Sequence, residues 1–95
     1  MIYSFNKQVA CEPIANRTVA SEIKSGFAVV KNKVELVKLK VLFGMVPEEG
    51  RMRPGDYLYI KGDAVNHEFA KTVYTLDGVS FILIPLQFVQ MVENE

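Results

Sequence analysis

The chain has 95 residues, enough for one domain and too few for a two-domain enzyme. Apolar residues make up 49%, charged residues 23% and aromatics 11%, a mixture that fills a core and lacks the polar excess of a disordered chain. Eleven Lys and Arg balance eleven Asp and Glu, so no net field draws the molecule to nucleic acid or to an anionic membrane. The charge is uneven along the chain: residues 1–47 carry seven Lys/Arg against three Glu, and residues 48–95 carry four against eight acids. Head-to-tail contact between copies is one use of that asymmetry. A single cysteine, Cys11, and an N-terminus without a secretory pattern make a reducing cytoplasm the default expectation. The longest apolar runs fall far short of the ~20 residues that span a bilayer, so no membrane segment is expected.

In chain order, Val9 and Cys11 alternate with Gln8 and Ala10, which reads as a strand that Pro13 ends or confines to an edge. Residues 18–26 show no period, and Phe27-Ala28-Val29-Val30 follows as either a short core strand or a loop holding an apolar patch for a partner. Residues 37–43 place Val37, Leu39, Val41 and Phe43 on one side of an extended chain. Arg53-Pro54-Gly55-Asp56 sets Pro and Gly where a type II turn needs fixed and then positive φ; Tyr57-Leu58-Tyr59-Ile60 continues as a strand, and Gly62-Asp63 stops it. Asp77-Gly78 lies between Val73-Tyr74-Thr75-Leu76 and residues 79–84, the signature of a two-residue hairpin. Residues 86–92 fit strand or helix spacing, and Pro85 favours a strand interrupted at an edge. No segment is convincingly helical. The pattern predicts an all-β fold, a small barrel or sandwich, in a single domain over residues 1–95.

Residues 80–92 carry apolar side chains on both faces of an extended chain. A small barrel buries one face, so the other needs a cover, supplied either by the chain's own N-terminal strand or by another subunit.

Catalytic and ligand chemistry finds little support. All three aspartates sit beside glycine, where local turn bonds account for them. One His (His67) and one Cys cannot assemble a zinc ligand set, and no phosphate-cradling glycine motif occurs, so no metal, cofactor or catalytic residue is expected. Lys31, Lys33, Lys38 and Lys40 with Tyr57, Tyr59 and Tyr74 could mimic a single-strand-binding surface, but alternating Lys is the usual dressing of an exposed strand, and no nucleic-acid partner is expected.

Read in order, these pieces resemble the GroES family of co-chaperonins. The C-terminus carries most of the likeness: Gly78-Val79-Ser80-Phe81-Ile82-Leu83-Ile84-Pro85-Leu86-Gln87-Phe88-Val89-Gln90-Met91-Val92-Glu93 follows the family's closing apolar strand, polar step and alternating aliphatics ending in Val-Glu. Met52-Arg53-Pro54-Gly55-Asp56-Tyr57-Leu58 is similar to the family's turn and strand, and Val41-Leu42-Phe43-Gly44 to the strand and glycine before it. Val9-Ala10-Cys11-Glu12-Pro13-Ile14 matches the first strand loosely. Ten residues separate Gly44 from Gly55, too few for a roof hairpin, and Val46-Pro47-Glu48-Glu49-Gly50 resembles the short connection of phage-encoded members.

The resemblance implies a GroES-like β-barrel and a non-enzymatic homo-oligomer, a heptameric ring that caps a GroEL-like chaperonin in the cytoplasm, of a bacterial host if phage-encoded. It implies a mobile loop at about residues 18–30, docking through Ile23, Gly26, Phe27, Ala28 and Val29. It also implies a subunit interface in which the last strand meets a neighbour's first, built from Tyr3, Phe5, Val9, Phe88, Val89, Met91 and Val92. The competing expectation is an oligomeric phage or bacterial structural or assembly β-barrel with no chaperonin partner.

Overall fold

The computed structural model describes residues 2–14, 18–20, 23–25, 28–30, 34–46, 48 and 50–94. The chain is all-β, and its described residues form nine strands: β1 (Gln8–Cys11), β2 (Thr18–Ala20), β3 (Ile23–Ser25), β4 (Ala28–Val30), β5 (Val34–Phe43), β6 (Tyr57–Lys61), β7 (Tyr74–Leu76), β8 (Val79–Pro85) and β9 (Val89–Glu93). Their main sheet runs β7-β8-β1-β5-β6-β9, every pairing antiparallel, and β2 joins the N-terminal part of β5. Among the described residues, no helix is long and apolar enough to cross a membrane.

Alternation explains which strand faces turn inward. Val9 and Cys11 of β1, Val37, Leu39 and Val41 of β5, Leu58 and Ile60 of β6, and Ile82 and Ile84 of β8 form one buried cluster. One sheet supplies all of these side chains, so it wraps around its own inner face. Each fully buried aliphatic contributes roughly 1.5–3 kcal/mol, and this cluster is what holds the fold.

The turns follow their residues. Gly55 has φ 94° and the Asp56 N–H donates to the Arg53 carbonyl at 3.1 Å, the type II geometry that Pro-Gly favours. The Asp56 carboxylate is buried and accepts the Arg53 N–H at 3.0 Å. The turn is pinned to β5 by Gly55 N–H to Val41 O at 2.9 Å and Val41 N–H to Asp56 O at 2.8 Å. Asp77 and Gly78, at φ 50° and 80°, make the β7–β8 turn, whose two left-handed residues match the twist of the paired strands.

Four features refine the sequence expectations or depart from them. β1 ends before Pro13, one of the two expected effects of that proline, and it is flanked by β5 and β8, so the edge alternative does not hold. Residues 18–30, without period in the sequence, hold β2 and the β3–β4 pair, in which Ile23 faces Val30 and Ser25 faces Ala28. After β6 the chain makes a 3-10 turn (Gly62–Asn66) and one helical turn, α1 (Glu68–Lys71), neither visible as a periodic run. Pro85 ends β8, a 3-10 turn (Leu86–Phe88) follows, and β9 starts anew, so residues 80–92 are two strands with different neighbours.

Candidate interaction surfaces

The two-faced stretch is covered partly from within. Phe81 and Leu83 point away from the core, yet Phe81 is only 9% exposed because its ring meets Phe43 edge-on at 5.3 Å and Tyr74 in a stack at 5.8 Å. The N-terminal segment crosses this outer face. The Ser4 N–H donates to Gly44 O at 2.8 Å, and Ser4 O accepts from the Val46 N–H at 3.2 Å, a parallel bridge to Met45. Between that segment and the sheet lies a cavity of about 310 Å³, its floor formed by Ala10, Phe43, Phe81 and Leu83. Asn6 and Lys7 have φ 61° and 56°, two successive left-handed residues that turn the segment back onto the sheet.

Among the described residues, large exposed apolar side chains fall in three places. Ile2, Tyr3 and Phe5 are exposed on the N-terminal segment, Phe5 at 62%. Val73, Tyr74, Leu76 and Val79 are exposed on and beside the β7–β8 hairpin, a surface that sequence reasoning missed. Met91 and Val92 are exposed on β9 at 51% and 44%. Exposed apolar groups gathered in patches mark contact surfaces more often than scattered ones do.

The expected interface set divides. Tyr3, Phe5, Met91 and Val92 stand at the surface. Val9 does not: it is fully enclosed in the chain's own core, paired to Ile84, and has no surface to offer a neighbour. Phe88 and Val89 are half-buried against that core, Phe88 also packing on His67 at 4.8 Å and Phe69 at 4.9 Å. Of the expected docking residues, Ile23 lies in β3, and Ala28 and Val29 lie in β4. Gly26 and Phe27 lie outside the described residues.

A charged cluster lies on the outer side of β5, β6 and β9. The Tyr59 hydroxyl donates to Glu93 Oε2 at 2.7 Å, and Lys38 Nζ sits 3.3 Å from the same oxygen and 4.4 Å above the Tyr57 ring. The hydrogen bond from Tyr59, then Lys38, holds the Glu93 carboxyl below the ordinary carboxylate range; the bond to Glu93 raises both Lys38 and Tyr59. Lys38 thus covers the ring face that a stacked base would need, while Lys31 and Lys33 lie outside the described residues. Burial, with Glu12 adding to it, pushes the Cys11 thiol far above its ordinary value, the opposite of an activated nucleophile. No three of His, Cys, Asp and Glu converge among the described residues.

No protein-family model, no curated protein and no solved structure matches the chain.

Proposed function

We propose that copies of this chain assemble into a non-enzymatic ring of the co-chaperonin type, which caps a chaperonin cage in the cytoplasm and assists ATP-dependent folding there. The observation that carries the reading is the β3–β4 pair. It is inserted between β2 and β5, its two strands bond to each other, and it takes no place in the six-strand path of the main sheet. An arm that the main sheet does not need, carrying the aliphatic sequence of residues 28–30 after Gly26-Phe27, suits docking into an apolar groove.

Energetics favour many weak contacts. Burying one Phe or Val side chain contributes ~1.5–3 kcal/mol, whereas ordering a segment on binding costs ~2–5 kcal/mol, so one arm holds weakly. A ring raises the effective concentration of the remaining arms once the first has docked. Weak single contacts also let the cap leave when the chaperonin changes state. The exposed apolar patches on the N-terminal segment, the β7–β8 hairpin and β9 support self-association, and seven copies is the number the family resemblance brings.

The test is Phe27→Ala and Val29→Ala, each measured by thermal unfolding and by ATP-dependent capture on a chaperonin ring. Docking predicts little change in melting and a loss of capture, larger for Phe27. A lowered melting temperature with unchanged capture makes the segment structural and removes the observation that carries the reading, and a wild-type chain that is not captured at all is an assembly protein without a chaperonin partner.

A further inference from the structure

The β7–β8 hairpin offers apolar surface that the expected interface does not use. Val73, Tyr74, Leu76 and Val79 are exposed, and β7 is an end strand of the main sheet, bonded among the described residues to β8 alone. The Asp77-Gly78 turn fixes the twist of this hairpin, so the surface sits on a stiff frame. Behind it the rings of Tyr74, Phe81 and Phe43 lead, at 5.8 and 5.3 Å between centroids, to the floor of the outer-face cavity. A rigid aromatic wall beside an apolar recess is the make-up of an anchoring site.

At the opposite end of the strand order stands β9, bonded among the described residues to β6 alone and presenting Met91 and Val92. An unprotected apolar edge of this kind templates a further strand. Aligned antiparallel, the exposed ends of the two strands match: Val92 falls opposite Val73 and Met91 opposite Tyr74, while the bulge before Met91 turns Val89 inward against its own core and out of the match. The faces match as well. Tyr74 pairs with Phe81 and Met91 with Tyr59, all on the side of the sheet away from the core cluster. Glu93 then comes opposite Thr72, beside Lys71, an attractive placement of opposite charges. A parallel alignment through the same Tyr74 and Met91 pair sets Leu76 against Glu93 and Val73 against Gln90, which wastes the pattern.

We propose that β9 of a second copy docks antiparallel along β7, seating Met91 against Tyr74 at the mouth of the outer-face cavity. The two surfaces are different parts of one chain, so the contact is heterologous and repeats from copy to copy until a ring closes. It uses neither Ser4 nor Met45, whose bridge holds the N-terminal segment on the sheet. The inference rests on the self-assembly in the proposed function and is independent of chaperonin capture.

The test mixes two single-cysteine-addition variants, Tyr74→Cys and Met91→Cys, in the full chain, with buried Cys11 left in place and wild type as control. After mild oxidation, a disulfide joining one copy of each is expected, and Val73→Lys, at the position opposite Val92, should raise the concentration for half-assembly about tenfold or more, as loss of an anchoring contact does. Val73 is exposed and lies outside the aromatic stack, so circular dichroism of that variant should remain that of wild type. Cross-linking of Met91→Cys to Phe5→Cys and not to Tyr74→Cys would overturn the proposal, placing β9 on the N-terminal segment instead. A chain that stays monomeric would overturn it too. Assembly through this contact without chaperonin capture would sink the capping function alone.

Discussion

Lys38 Nζ lies 3.3 Å from Glu93 Oε2, tying the middle of β5 to the last strand across the Tyr57 and Tyr59 rings. The Tyr59 hydroxyl completes the arrangement with its 2.7 Å bond to the same oxygen. β9 has a neighbour on one side only, so these contacts are its chief side-chain tether on the outer face.

Its pH dependence follows from the sign of the shifts. Glu93 is lowered in the fold, so its contribution is present above the unfolded carboxyl value and is lost as pH falls through the lowered one. Lys38 is raised, so its share persists until pH climbs through the raised value. At matched pH near neutrality, Glu93→Gln should lower the amide-exchange protection of residues 89–93 relative to wild type. The difference should vanish in strong acid and shrink in high salt, because the pair is exposed. Equal protection at neutral pH would show that the tether does nothing.

Val89 and Met91 stand two residues apart on β9 and should fail differently. Val89 is half-buried against the core cluster and pairs with fully buried Ile60, whereas Met91 is 51% exposed. Val89→Asp places a charge against the core and should cost several kcal/mol of folding stability, read by urea unfolding. Met91→Asp should leave the unfolding midpoint within ~0.5 kcal/mol of wild type and weaken assembly, read by sedimentation. The reverse pattern would mean that the faces of β9 are misassigned.

How much of this could be read from the sequence depends on how local each signal is. The Asp77-Gly78 and Pro54-Gly55 turns were legible because their chemistry sits within four residues, and β5 because seven residues alternate without a break. Residues 23–25 and 28–30 are too short to show a period, and α1 spans a single turn. Faces were harder. Val9 alternates with Gln8 and Ala10 and so reads as inward-facing, but the family resemblance drew it to an interface that its burial rules out. The exposure of Val73, Tyr74, Leu76 and Val79 was hidden because apolar β-formers next to a turn look the same in a core strand and an end strand. Only the strand order shows that β7 has one neighbour.

Gly78 has φ 80° and open space where a Cβ would go, so strain is the whole cost of a substitution there. Gly78→Ala should destabilise the chain by about 1 kcal/mol, and Gly78→Asn by less, because Asn tolerates the left-handed region. Thermal unfolding of the pair checks the turn assignment. Equal stability for wild type and Gly78→Ala would contradict it.

Cys11 is fully buried, with its thiol pushed far above the ordinary value. A thiol reagent at neutral pH should label it only at the rate of unfolding, and completely in denaturant. Rapid labelling of the native chain would show that β1 is not held between β5 and β8.

The claim on which the rest depends is that the assembled chain caps a chaperonin. Co-sedimentation of the purified protein with a chaperonin ring, with and without ATP, tests it most directly. The account predicts that the protein travels with the chaperonin when ATP is present and separates from it when nucleotide is absent. An assembled protein that never co-sediments, with or without ATP, would contradict it.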